Sequence, residues 1–323
     1  GWDHVQTPHD YSINQPFDKD APAGASGGYL PGGVGWYRKR FSVPELGHKR
    51  VWIEFDGVYR ASDVWCNGKH LGHRHCGYAS FRYELTEHLQ TTGPNVLAVR
   101  VDNADQPNCR WYSGSGIYRH VRLVFTEALS IAPWGVYITT SDALKSTASV
   151  RARVCLANTR RQGAQAKLTC RILNPAGAEV AAETAELQLA ADSRIEADLA
   201  LCADSPELWS PENPRLYRAQ FELCDPGGRA LDALETPFGI RDILFDADRG
   251  FLLNGEVTKL KGGNMHHDAG CVGSAVPYGV WRRRLATIKS IGANCVRMSH
   301  NPPAPEVLDL CDELGLLVYD EAF

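Results

Sequence analysis

Apolar and polar residues alternate with a period of two through most of the first 240 positions, and a helical period appears only in the last quarter. Val51, Ile53 and Phe55 share one face, as do Phe81, Tyr83 and Leu85, and then Leu97, Val99 and Val101. Over residues 36–43, Tyr37, Phe41 and Val43 fall on one side and Arg38 and Arg40 on the other. Residues 64–71 read as two short strands around Asn67-Gly68, the strongest short-range hairpin signal. Ile117, Val121, Leu123 and Phe125 close the region. Many short strands separated by Gly, Pro and Asn turns predict a sandwich or jelly roll up to about residue 126. Residues 21–35 hold six glycines and two prolines. They predict an ordered loop, and a long loop in a compact domain is more often functional than idle.

Further short strands are predicted at 136–138, 148–156, 166–173, 185–189, 195–201 and 217–223, the size and strand count of an immunoglobulin-like sandwich. No titratable cluster falls in this stretch. Its polar runs at 160–161 and 183–186 read as solvated faces, and the segment reads as a spacer. Residues 238–241 form a hinge, followed by a hairpin at 250–256 with Asn254-Gly255 at its tip.

From residue 258 the pattern becomes strand, helix, strand, helix, strand. A short extended run at 258–261 precedes a helix at 280–291, whose stripe is Trp281, Leu285 and Ile288 and which Gly292 stops. A strand at 294–298 follows, with Val296 and Met298 on one face. A second helix starts at Pro302-Pro303, carries Val307, Leu308, Leu310, Cys311 and Leu314, and ends at Gly315. The third strand is 316–319. Such alternation implies parallel pairing through right-handed crossovers. His266 and His267 fall just past the first of these strands, His300 just past the second, and Asp320-Glu321 just past the third. In a (β/α)8 barrel those ends face one pocket, where chemistry is done.

A chain of 323 residues predicts two or three domains. A hydrophobic fraction of 44% with 22% charged residues gives ample core, and a net charge of −4 offers no basic footprint for nucleic acid or anionic membranes. No run approaches the length of a membrane span. The ten cysteines include no C-x-x-C pair, which argues against zinc and thioredoxin-like sites. Buried free thiols at strand positions such as Cys170 and Cys295 are expected instead. Gly1 is not an initiator Met, and the compartment stays open.

The segments 261–268 (Lys-Gly-Gly-Asn-Met-His-His-Asp), 296–303 (Val-Arg-Met-Ser-His-Asn-Pro-Pro) and 319–323 (Tyr-Asp-Glu-Ala-Phe) resemble the opening of the catalytic barrel of glycoside hydrolase family 2, the family of β-galactosidases, β-glucuronidases and β-mannosidases. Thr7-Pro8-His9-Asp10, 36–39, 55–58, 65–68 and 110–119 resemble its N-terminal sugar-binding jelly roll, and 208–217 its second domain. The resemblance covers nearly the whole chain. It implies a mainly β, multidomain fold: a sugar-binding-like jelly-roll β-sandwich at 1–126, an immunoglobulin-like β-sandwich at 127–238, and the first βα units of an incomplete (β/α)8 barrel at 239–323. Three parallel strands cannot close a barrel. Their uncovered edge is expected to be poorly ordered, dimerised or shielded by a neighbour.

Retaining glycoside hydrolysis needs two carboxyl groups about 5 Å apart. Asp320 and Glu321 are adjacent on an extended segment and point to opposite faces, so they do not form such a pair. The family resemblance puts the acid/base after the fourth barrel strand and the nucleophile after the seventh, both beyond Phe323. The chain is therefore expected to be the N-terminal portion of a retaining exo-β-glycosidase, inactive alone and carrying no catalytic residue and no metal ligand. The resemblance implies that His266 and His300 hydrogen-bond hydroxyls of the non-reducing sugar, with Asn264 and Arg297 as second choices and Arg297 more suited to orienting a carboxylate. For His267 and Asp268, loop structure and sugar contact stay open. Trp111 is the one aromatic singled out for sugar stacking. Related β-galactosidases place an Asp of the first domain in the galactose pocket, where this chain has Arg110. That substitution questions sodium-assisted recognition and makes Arg110 a candidate substrate residue. No cofactor is expected in this chain, which leaves room for a divalent or sodium ion in the full-length enzyme. The expected partner is a carbohydrate substrate, without nucleic acid or membrane and with homo-oligomerisation open. β-Galactosidase is the preferred activity. β-Glucuronidase, β-mannosidase and a non-catalytic carbohydrate-binding module are the alternatives.

Overall fold

The computed structural model describes residues 1–322, so Phe323, the last residue of the 319–323 segment and of the third domain, lies outside the described residues. The first sandwich contains β1 (Gly33–Phe41), β2 (Arg50–Phe55), β3 (Ser62–Cys66), β4 (Lys69–Arg74), β5 (Phe81–Glu84), β6 (Asn95–Asn103) and β7 (Val121–Thr126). Its two sheets run β1-β6-β3-β4 and β5-β2-β7. Every second residue of β6 is buried, from Asn95 to Asn103, because one face of the strand packs on the facing sheet. Val51, Phe55, Val64, Leu85 and Val101 fill the layer between the sheets. The Asn67-Gly68 hairpin forms as expected, joining β3 to β4. Residues 33–35, expected in the Gly-rich loop, belong to β1, where they pair with 101–103 of β6.

The second sandwich contains β8 (Leu129–Ser141), β9 (Thr147–Asn158), β10 (Ala164–Leu173), β11 (Glu179–Leu189), β12 (Ser193–Asp204), β13 (Tyr217–Cys224) and β14 (Ala230–Phe238). The sheets are β11-β10-β13-β14 and β12-β9-β8, around Val154, Leu156, Leu168, Ile172, Leu199 and Phe221. Strand β14 is an addition to the expected set. Its sequence hardly alternates, because three consecutive residues, 233–235, are exposed.

The third region opens with a small antiparallel sheet, β15 (Ile243–Asp246), β16 (Gly250–Leu253) and β17 (Glu256–Val257). It continues as β18 (Gly262–His266), α1 (Tyr278–Ser290), β19 (Cys295–Ser299), α2 (Pro305–Leu314) and β20 (Leu317–Tyr319). Strands β18, β19 and β20 pair in parallel in that order. The first of them begins at Gly262 rather than within 258–261, since its ladder with β19 starts at Gly262 opposite Cys295. His266 is consequently the last residue of its strand, not the first beyond it. Helix α2 starts at Pro305, later than Pro302-Pro303, and Gly315 ends it at φ 72°.

Strand periodicity separates the two faces of this sheet. Met265, Val296 and Met298 point to α1 and α2 and pack with Trp281, Leu285 and Val307. On the other face Cys295 and Leu317 are covered by Leu253 and Trp209. The indole Nε1 of Trp209 donates to the Asp312 carbonyl at 2.9 Å, and Lys289 Nζ donates to the carbonyls of Pro211 and Gly315. These bonds hold the second sandwich on the ends of both helices. Leu317 is thereby shielded, whereas Tyr319, higher on the same face, is 60% exposed. Among the described residues no helix is long and apolar enough to cross a membrane. All ten cysteines are free, with Cys170 and Cys295 buried as expected.

Candidate sugar site between the first sandwich and the parallel sheet

Parallel register sets Asn264 of β18 opposite Arg297 of β19, and Arg297 opposite Tyr319 of β20. These side chains rise from the sheet face that the helices do not cover. Arg297 donates to Asn264 Oδ1 at 3.3 Å and forms an ion pair with Glu321. His300 Nδ1 lies 3.0 Å from the other oxygen of Glu321 and 3.4 Å from an Arg297 guanidinium nitrogen, and the nearer carboxylate favours a proton on Nδ1, donated to Glu321. With Nδ1 carrying the proton, Nε2 of His300 is an acceptor in the neutral ring, and it has no hydrogen-bond partner among the described residues. His266 stands edge-on to His300, ring centroids 5.3 Å apart at 88°. Burial holds its pKa below the usual histidine value, so the ring is neutral and offers one donor and one acceptor.

The first sandwich supplies the opposite wall. Trp111 lies against His300 with centroids 5.1 Å apart, and its Nε1 donates to the Tyr78 hydroxyl at 3.2 Å. Two ties hold that wall in place. Asp10, 1% exposed, accepts hydrogen bonds from the backbone of Ser12 and Ser115, from the Tyr112 hydroxyl, and from the backbone and hydroxyl of Ser274. Gly114 makes this approach feasible: it has φ +69°, and a Cβ there would sit 2.0 Å from Ser274 Oγ and 2.5 Å from Asp10 Oδ2. Arg119, also buried, donates to the carbonyls of Asp56 and Tyr78 in its own domain and of Pro302 at 2.7 Å in the next. Trp111 and His300 lie between these two anchors in sequence on either side of the junction.

His267 belongs to the junction rather than to the cluster. It is buried against Tyr78 and Tyr118, and its Nε2 donates to the Ser113 carbonyl at 3.1 Å. Burial depresses its pKa to about 4, with the Ser113 carbonyl opposing. Between pH 4 and 6.5 the unfolded chain therefore binds the extra proton. The stability this ring contributes is complete above about pH 6.5 and is lost as pH falls toward 4, about 3 kcal/mol in all. His267→Gln, which keeps a donor but does not titrate, is expected to flatten the urea-midpoint profile across that window by about one proton. An unchanged slope would contradict this.

Of the residues singled out from sequence, His266, His300, Asn264, Arg297 and Trp111 come together. Arg110 does not join them. It is exposed and makes no hydrogen bond or ion pair with the described residues, while its neighbour Trp111 turns toward His300. Glu321 holds Arg297 and His300, a role that sequence reasoning did not assign. Asp10 and Arg119 were visible only as parts of motifs, since their partners lie 264 and 183 positions away. Among the described residues no group of three or more His, Cys, Asp or Glu side chains could hold a metal ion.

Comparison with known proteins agrees with this layout. Residues 34–121 match the family described as "Glycosyl hydrolase 2 galactose-binding domain-like", 130–241 match "Glycosyl hydrolases family 2", and 247–323 match "Glycosyl hydrolases family 2, TIM barrel domain". The chain is 44% identical over its whole length to "Beta-galactosidase BoGH2A" of Bacteroides ovatus, of which it spans 38%. It is 39% identical to a "Putative beta-glucuronidase" of Formosa agariphila, covering all of this chain and 30% of that one. A crystal structure of a glycosyl hydrolase family 2 member from Bacteroides cellulosilyticus superposes with a TM-score of 0.95 at 38% identity, covering all of this chain and 42% of that one. Two sandwiches followed by the first strands of a barrel, each matched in order, place the chain in glycosyl hydrolase family 2.

Proposed function

We propose that the chain is the substrate-orienting N-terminal portion of a retaining exo-β-glycosidase that acts on terminal non-reducing β-D-galactosides. The observation that carries this reading is the convergence of His266 and His300 beneath Trp111, with His300 fixed by Glu321. Each ring has a distinct part. His300 Nε2 accepts from a sugar hydroxyl, His266 donates or accepts at a second hydroxyl, and Trp111 provides an apolar wall for the C–H face of the pyranose. Contacts of this kind direct binding energy to the reacting bond. The bond-breaking carboxylates are assigned to sequence beyond Phe323. Glu321, the carboxylate within the cluster, is committed to Arg297 and His300, and Asp320 is exposed on an adjacent position.

Two measurements test the reading. The 323-residue chain is expected to leave a nitrophenyl β-galactoside intact, and robust hydrolysis would refute the assignment of the catalytic pair. Galactose is expected to shift the His266 and His300 imidazole NMR signals, with the effect lost in His300→Ala. The name of the Formosa agariphila relative favours a second reading, β-glucuronidase. Larger shifts with glucuronate than with galactose would select it.

A further inference from the structure

The outer face of the β1-β6-β3-β4 sheet carries an aromatic and cationic surface that the sugar site does not use. Trp36 on β1, opposite Arg100, and Trp65 on β3, opposite Ala98, reach toward each other diagonally across the intervening strand β6. Their rings stack at 5.3 Å and 27°, and His70 of β4 adds a third ring 5.1 Å from Trp65. Trp36 remains 50% exposed. Around the indoles the polar groups are held in place. Asp63 accepts from His70 and His73, each at 3.0 Å, and pairs with Arg100 at 3.7 Å, while Asp102 takes the other end of Arg100 at 2.6 Å. Arg38 lies over the ring of Trp2 at 4.5 Å. Arg40 on the same face is exposed and makes no ion pair among the described residues, whereas Lys69 and Arg74 of β4 pair with the buried Cys66 and Ser62 and belong to the other face. Arg38 and Arg40 thus stand in the same outward row as the half-exposed Trp36.

We propose that this face is a second saccharide-binding surface, specific for a glycan chain bearing uronate carboxylates. Indole faces attract the C–H faces of pyranose rings without demanding a particular hydroxyl pattern. Guanidinium forks match planar carboxylates in geometry as well as in charge. Rigid aromatic anchors among pre-positioned polar groups limit the ordering cost of binding. An acidic peptide would satisfy the cations but not the stacked indoles. A neutral glycan would leave the guanidinium groups of Arg38 and Arg40 without an anionic partner. The surface shares no residue with the Trp111–His300 cluster, so the two sites are separable by mutation.

Titration of the chain with a polygalacturonate oligomer tests the proposal, with a neutral galacto-oligosaccharide, dextran sulfate and polyglutamate as comparisons. Saturable binding of the polygalacturonate is expected, weakened roughly tenfold by Trp36→Ala and again by Arg40→Ser, falling as salt rises, and unaffected by His300→Ala. Trp36 is half exposed on an edge strand, and Arg40→Ser removes no core contact, so circular dichroism should show both variants folded. Equal or tighter binding of polyglutamate, dextran sulfate or the neutral glycan would overturn the proposal. So would an affinity indifferent to Trp36, or no binding at all.

Discussion

Replacing Asp10 by Ala is expected to destabilise the chain by about 3–5 kcal/mol, the range found when one partner of a buried, fully hydrogen-bonded charged group is removed. The carboxylate collects five donors, two of them from Ser274 in the parallel-sheet region. Deleting it leaves buried N–H and O–H groups with nothing to bond. Asp10→Asn should be milder yet still costly. One amide oxygen can serve Ser12 and Ser115, but the amide nitrogen then faces the donors of Tyr112 and Ser274. The loss should be uneven across the molecule, because the second sandwich keeps its own core and its hold on α1 and α2. Limited proteolysis of Asp10→Ala is expected to cut first at 106–116 or 267–275, the segments it joins. Wild-type melting and a wild-type cleavage pattern would show that the five bonds carry no net stability.

In the longer enzyme to which this chain is proposed to belong, Glu321→Gln should lower kcat/KM by about 10- to 100-fold. The neutral amide weakens the hold on Arg297 and no longer demands a proton on His300 Nδ1, so the imidazole is free to present either nitrogen to the sugar. A positioning role predicts that most of the loss appears in KM and that the pH profile keeps its acid and base limbs. Were Glu321 the acid/base itself, turnover would collapse by several more orders of magnitude and one limb would vanish. The two outcomes are far enough apart for a single steady-state experiment to separate them.

The strands with one buried and one outward row were the legible ones, at sheet edges such as β5 as well as at centres such as β6. In β6, Leu97, Val99 and Val101 form the buried row, while Ala98 and Arg100 form the outward one. Strands β14 and β15 were not predicted. The first exposes residues 233–235 in succession and the second Ile243, Leu244 and Phe245, so neither writes a period of two. The start of β18 was misplaced for a different reason. Gly262-Gly263 looks like a strand breaker locally, and pairing with β19, more than thirty positions away, overrides it. The histidines were recognisable because strand ends announce themselves by position. Asp10 and Arg119 were not, since what they do depends on where a carbonyl or a serine of another domain arrives.

Trp111 comes from one folding unit and His300 from another, and this division has a thermodynamic corollary. A sugar held by both must tighten the docking of the two units by the same free energy that docking lends to its own affinity. Saccharide occupancy should therefore be readable far from the ring itself, as slower hydrogen exchange at the Ser113, Ser115 and Ser274 amides. Conversely, any change that loosens the seam will register as a weaker grip on substrate even when every residue facing the sugar is intact.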